Sequence, residues 1–403
     1  MKWLFVPLGM LLGWAWFETL RFSPILLVLA ALAFEYLAYQ ARYTWNDLRD
    51  VIVDQSEPGR AEDRIPPGGE EAAAASMLLR TIAFGLVIVA AWQSIGPGLL
   101  AGGVGIMAAA IPYEYARSAS ASADGWTDRP GTWDLAVYVL VGAGYALRVV
   151  FGVWLVAGAS APLPLIAGIA VAAWALGISF VTATWCIYSG AFVRFPEMPA
   201  DVAVRYAPGV LEKPHFMPLL RWSGVFDGIV PARDEPAPAA PGPDQERARL
   251  RSGSSIPLLA ASPGRWWAPW NSGAVFSAVA LAAVVVALDL ATGQVEQWWL
   301  LAVLISGVLS ALLAATVPLL WAWSGAVASI AVLAAGAATL AVAPRTLSAV
   351  VALAPAMILL IFRGMSHDDL RRSLRETLKL AGEQVGALSL ALARLVTPRP
   401  RGV

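Results

Sequence analysis

Three aspartates, Asp47, Asp50 and Asp54, follow Asn46 in residues 43–54 (YTWNDLRDVIVD), and their spacing points to chemistry. Asn46, Asp50 and Asp54 recur at steps of four, and Asp47 and Asp50 stand three apart. On a helix they share one face. Carboxylates stacked in this way repel one another by a few tenths of a kcal/mol per exposed pair, and by more where water is scarce. A bound cation removes that penalty. Oxygen ligands without His or Cys suit magnesium, which takes one or two carboxylates and completes its shell with phosphate oxygens and water. A hydrated acidic loop is the plainer alternative. Against it, Glu35, Tyr39, Arg42, Tyr43 and Asn46 extend the polar stripe inward at helical spacing. Ionisable residues inside a membrane mark a cavity or pathway by default, although Glu35 could instead form a structural ion pair with Arg148. Beyond the acids, Arg60 and Arg64 supply guanidinium forks that match phosphate oxygens. The same two arginines also suit a cytoplasmic loop of a membrane protein.

These residues must be positioned by membrane helices. The 403 residues are 58% hydrophobic and 14% charged, with a mean hydropathy of +0.65. A soluble domain cannot hide that much apolar surface. Zero net charge gives no case for nucleic acid. One cysteine excludes an intrachain disulfide, and two histidines leave carboxylates as the available metal ligands. Apolar runs of spanning length predict an all-α membrane protein, a polytopic bundle of about nine to ten spans with cytoplasmic cap loops. The runs are 3–20, 23–43, 76–95, 97–115, 134–157, 163–190, 273–292, 297–318, 322–343 and 346–363. A tight turn at 318–324 separates the eighth from the ninth. Residues 3–20 read as a retained first span, because no small-residue cleavage site precedes Glu18 and Arg21.

Arginines fall almost entirely on one side of this arrangement, with Arg21 and Arg345 the exceptions. The positive-inside bias puts the N-terminus, the long loops after spans two, four and six and, with ten spans, the C-terminus in the cytoplasm of a cell-membrane protein. Residues 1–220 then form a membrane core carrying the acidic loop. Residues 221–272 form a linker whose Pro, Ala, Gly and Ser content, in 231–243 and 252–255, predicts a disordered or extended chain. Residues 273–363 hold the last spans, and 364–403 an amphipathic helix and tail. In that helix Leu370, Leu374, Leu378 and Leu388 form an apolar stripe beside Arg371, Arg372, Arg375 and Lys379. It suits membrane lipids at an anionic surface, or an oligomer paired through the stripe.

The run Asn46-Asp47-x-x-Asp50-x-x-x-Asp54 after the second span resembles the first signature of the UbiA superfamily of intramembrane prenyltransferases. Residues 64–68 (RIPPG) are similar to that family's downstream Arg-Pro-x-Pro-x-Gly, shortened by one residue. Residues 113–117 (YEYAR) and 144–148 (GYALR) are loosely similar to later positions. The resemblance covers residues 1–220; spans seven to nine match by hydropathy alone. It implies that Asn46, Asp47, Asp50 and Asp54 hold magnesium and carry catalysis. An isoprenyl diphosphate donor is then gripped by Arg60 and Arg64, with Arg117, Arg148 and Lys213 as further cations, and an aromatic or lipid acceptor captures the allylic cation. Tyr36, Tyr39, Tyr43, Tyr113, Tyr145, Trp185 and Tyr188 are candidates for a cation-stabilising lining, or are packing and interface aromatics.

The chain departs from the family at its second aspartate motif, after span six. The nearest substitute is Glu197 and Asp201, at i, i+4 with Pro199 between them, which disfavours a regular helix. The same loop carries Arg194, Arg205, Lys213 and His215, which suit a phosphate-rich ligand held by fewer metals. A terpene cyclase and a phosphoribosyltransferase acting on polyprenyl phosphate therefore stand beside the prenyltransferase. A non-catalytic lipid-binding or transport protein is a further alternative.

Overall fold

The apolar runs fold as helices because a chain in lipid must satisfy its own backbone hydrogen bonds. The computed structural model describes residues 5–17, 20–49, 69–121, 129–158, 161–194, 202–206, 215–225, 255–257, 259, 264–292, 297–316, 322, 324–325, 327 and 353–364. Helix α1 is Phe5–Phe17; α2 is Pro24–Leu32, followed without a break by a π-helical turn, Ala33–Tyr39, and by α3, Gln40–Arg49. Then come α4 (Gly69–Ala90), α5 (Gly96–Ala121), α6 (Thr132–Leu140), α7 (Ala143–Ala157) and α8 (Leu163–Ser189). The second half holds α9 (Phe216–Trp222), α10 (Pro269–Thr292), α11 (Gln297–Thr316) and α12 (Ala354–Gly364).

Among the described residues, six stretches are long and apolar enough to cross a membrane: Pro24–Leu48, Gly69–Ala90, Gly96–Ser120, Thr132–Ala157, Leu163–Ile187 and Pro269–Ala287. Phe5–Trp14, Gly307–Thr316 and Ala354–Gly364 are shorter apolar helices where the first, eighth and tenth spans are expected. The ninth span falls almost wholly outside the described residues, as does the C-terminal amphipathic segment. Ile25, Val89 and Leu163 are 74%, 73% and 77% exposed, so large apolar side chains face outward from the helices. That is the signature of an all-α polytopic membrane protein.

Helix ends follow local chemistry. Pro24 opens α2 with its φ already helical, and the Ser23 hydroxyl accepts from the Leu26 amide at 3.4 Å. Asp134 caps α6 by accepting from the Gly131 amide at 2.8 Å and also accepts from the Ser120 hydroxyl at the end of α5. Gly158, at φ 65°, terminates α7. The fifth span is broken between α6 and α7 at Gly142, where a Cβ would lie 2.3 Å from the Trp174 carbonyl. At this break the Trp174 indole donates to the Val139 carbonyl at 2.8 Å.

Close helix crossings run through small residues, as expected where lipid gives no hydrophobic drive to association. A Cβ on Gly9 would sit 2.0 Å from the Val149 carbonyl, and one on Gly152 would sit 2.2 Å from that of Val6. This locks α1 against α7. Gly9→Ala is therefore expected to lower the unfolding midpoint in detergent, costing about 1–3 kcal/mol through overpacking. Gly85→Ala, where a Cβ meets nothing within 4 Å, should leave the midpoint unchanged or raise it; equal effects of the two would refute the crossing. The two halves of the chain pack together along α8 and α10. Ser277 donates to the Ala172 carbonyl at 2.8 Å and Ser179 to that of Trp270 at 2.6 Å.

A small antiparallel sheet stands where the sequence analysis expects loop and linker. β1 (Gly190–Arg194) pairs on one side with β2 (Val202–Tyr206) and on the other with β3 (Ser255–Pro257). Phe192 lies opposite Val204 and Ile256. Ser255, placed in the flexible linker by composition, is thus an edge-strand residue. Strand β3 has its partner far away in the chain, so local composition carries no trace of the pairing.

Candidate functional site

Where α3 leaves the bundle, the helices part around a cavity of about 200 Å³. The π turn and α3 contribute Tyr39, Arg42, Tyr43 and Asn46, which follow one another at steps of three and four and so face the cavity together. A π turn inserts one residue's worth of rotation into a helix and recurs at functional sites. Here it spans the point where an apolar helix becomes a polar one. Facing it, α5 contributes Ile106, Ala110, Tyr113 and Arg117; the α6–α7 break contributes Leu140, Gly144 and Tyr145; and α8 contributes Phe180, Thr184 and Trp185. His215 and Phe216, at the start of α9, complete the rim.

The polar groups gather at the mouth. Arg117 donates to the Asn46 side-chain oxygen at 2.7 Å and to Glu114 Oε2 at 3.0 Å. Arg42 lies 3.6 Å from Glu114 Oε1. The Tyr113 ring sits between the two guanidiniums, 5.5 Å from Arg42 and 5.7 Å from Arg117, close enough for cation–π attraction. Two arginines thus share one buried carboxylate at the mouth. On the opposite rim, the Tyr138 hydroxyl donates to the His215 carbonyl at 2.6 Å. Trp185 packs on His215 and Phe216 at 5.1 and 5.2 Å, which fixes α9 beside the opening. Deeper down, the wall becomes aromatic and aliphatic.

Asn46 lines this mouth and Asp47 follows it on α3, while Asp50, Asp54, Arg60, Arg64, Glu197, Asp201 and Lys213 lie outside the described residues. Among the described residues no three possible His, Cys, Asp or Glu ligands come together. The donor chemistry at the end of α3 fits magnesium: an amide oxygen with a second lone pair beyond the one Arg117 engages, then a carboxylate, both hard oxygen ligands.

Arg148, read from sequence as a diphosphate cation, is held elsewhere. Its Nη2 is 2.6 Å from Glu35 Oε2 and 2.8 Å from Oε1, and its Nε is 3.0 Å from Oε1. Arg148 is fully buried and Glu35 is 5% exposed, so the structural alternative for this pair is the one the fold adopts. Glu35 also accepts from the Val6 amide at 3.3 Å, satisfying an orphan donor of the first turn of α1. Tyr39 covers the guanidinium at 4.1 Å and Phe5 at 5.0 Å.

Of the aromatic candidates, Tyr39, Tyr43, Tyr113, Tyr145 and Trp185 line the cavity. Tyr36 is 46% exposed and meets Arg80 at 5.6 Å, and the Tyr188 side chain lies outside the described residues. Sequence reading missed Glu114, Phe180, Thr184 and Phe216. Glu114 is signalled by its place in YEYAR; the others are ordinary span residues until the helices are packed. No protein-family model matches the chain, and neither does any curated protein or solved structure.

Proposed function

We propose that the protein is an integral membrane prenyltransferase that moves an isoprenyl group from a magnesium-bound isoprenyl diphosphate to an aromatic or lipid acceptor. The observation that carries this reading is the two-part cavity lined by Asn46, the residue that opens the aspartate run in the sequence: an arginine-rimmed mouth over an aromatic and aliphatic interior. A diphosphate ester of an isoprenoid has the same division. The head would lie against Arg42 and Arg117, whose forks can each donate to two phosphate oxygens, and the chain would point toward Tyr145 and Phe180.

Magnesium, held by Asp47, Asp50 and Asp54 with Asn46, would neutralise the charge of the departing diphosphate. The carbon–oxygen bond to the diphosphate breaks, its electron pair leaves with the oxygen, and the remaining allylic cation bonds to an acceptor nucleophile that then loses a proton. The rings of Tyr43, Tyr113 and Trp185 present electron-rich faces to that cation, and the apolar wall keeps water from intercepting it. The arginine distribution puts the mouth on the cytoplasmic side of the cell membrane.

Purified protein incubated with labelled isoprenyl diphosphates, with magnesium or with chelator, is expected to transfer the label to an acceptor only when magnesium is present. Release of diphosphate without any acceptor would favour the cyclase, and turnover of phosphoribosyl diphosphate with a polyprenyl phosphate the phosphoribosyltransferase. Neither turnover nor magnesium-dependent binding of any diphosphate would remove the enzyme reading.

A further inference from the structure

Away from its polar mouth the cavity is lined by the packed rings of Tyr39, Tyr145 and Phe180, and we infer that these rings form a floor that limits the donor to a short isoprenyl chain, with Phe180 as its end-stop. The inference rests on the transferase reading and adds the length of the chain. The α3 wall runs from Asn46 down to Tyr39, and the α5 wall from Arg117 down to Ile106. At about 1.5 Å per residue the socket is about 10–16 Å deep. An extended five-carbon unit, four bonds along the chain, spans about 5 Å at ordinary bond lengths. About two to three units fit, the lengths of a geranyl or farnesyl chain.

The floor has no slack. Phe180 lies 5.8 Å from the Tyr145 ring, 6.3 Å from Phe5 and 5.1 Å from Phe362. Tyr145 is wedged against Gly177, where an added Cβ would come within 2.7 Å of the ring. Tyr145 also meets Phe5 edge-on at 4.5 Å. Directly behind Tyr39 and Tyr145 sits Arg148, 4.1 and 5.9 Å from their ring centres, locked to Glu35. An apolar tail driven past the floor would strip aromatic cover from a buried charge pair, a large penalty in a medium without water. Past that pair, Glu35 lines a separate apolar groove between α1 and α2. The ion pair is therefore the partition between the socket and the groove.

The test is binding of non-hydrolysable geranyl, farnesyl and geranylgeranyl thiolodiphosphates to the full chain in nanodiscs with magnesium, with inorganic diphosphate as the head-group probe. Geranyl and farnesyl compounds should bind at least about tenfold more tightly than geranylgeranyl, the scale on which apolar pockets discriminate size. Phe180→Ala should erase that preference, and Ala109→Phe, which fills the wall, should exclude farnesyl while keeping geranyl. If Phe180→Ala does not fold, Phe180→Leu and Ala109→Phe test the same floor. Geranylgeranyl bound as tightly as farnesyl by the unaltered protein, or an unchanged preference in these variants, would overturn the inference while inorganic diphosphate still binds. If neither inorganic diphosphate nor any chain binds, the transferase reading falls and the length limit falls with it.

Discussion

Arg117→Ala should lower kcat/KM for the isoprenyl diphosphate by about 10²–10³, the range measured when one donor aimed at developing charge is removed. Arg117 holds Asn46 and Glu114 together, so its loss removes a phosphate donor and also loosens the end of α3 that leads into Asp47. Glu114 keeps Arg42 at 3.6 Å, so the fold should survive, and an unfolding midpoint near that of the unaltered protein is part of the prediction. Arg117→Lys separates charge from shape. An ammonium keeps the charge and can donate to both Asn46 and Glu114, which Arg117 engages through Nη1 alone, but it lacks the planar fork that matches phosphate oxygens, so it should recover only part of the loss. Full activity in Arg117→Ala would show that the mouth does not hold the diphosphate.

Glu35→Ala should be the most destabilising single change in the bundle, at about 3–5 kcal/mol, because it leaves the Arg148 charge buried without its partner. Nη1 of Arg148 already finds no acceptor among the described residues. With Glu35 gone, the ring faces of Tyr39 and Phe5 would be its remaining company, and the Val6 amide at the start of α1 would lose its acceptor too. Reversible unfolding in mixed micelles measures the cost. Pairing Glu35→Leu with Arg148→Met removes both charges and should bring stability back to within about 1 kcal/mol, since apolar replacement of a buried pair is often neutral or better. A single variant that costs under about 1 kcal/mol would mean that water reaches this site. A double variant as unstable as the single one would mean that the packing here matters more than the charge.

Glu35 and Arg148 also show how far the sequence could be read. Both appear as costly charges within apolar runs, and their pairing is one of two readings available from spacing. Each group had other possible partners: Glu35 could have faced the polar stripe of its own helix, and Arg148 a phosphate. The π turn decides between them, turning Glu35 toward α1 and α7 while Tyr39, Arg42 and Asn46 face the cavity. Nothing in Ala33–Tyr39 announces a π turn, because its residues continue the helical pattern of their neighbours. The sheet was hidden for a different reason. Strand Ser255–Pro257 has little propensity of its own and exists through pairing with Phe192 and its neighbours, a contact between a segment inside the linker and one well before it.

The aspartate run, the arginine bias and the periodicity of the spans are local in the chain, so the sequence alone determined that this is a helical membrane protein with a run of closely spaced aspartates after its second span. Helix formation in lipid is dictated residue by residue, since each backbone group must be satisfied within its own segment. The cavity is not local. It exists because α3, α5, α7, α8 and α9 each bring a few residues to one place, and because Gly9, Gly142 and Gly152 let backbones approach closely enough to set the angles. Packing geometry depends on pairs of distant residues, so only the tertiary structure could decide that Arg42, Arg117 and Phe180 line the cavity and that Arg148 does not.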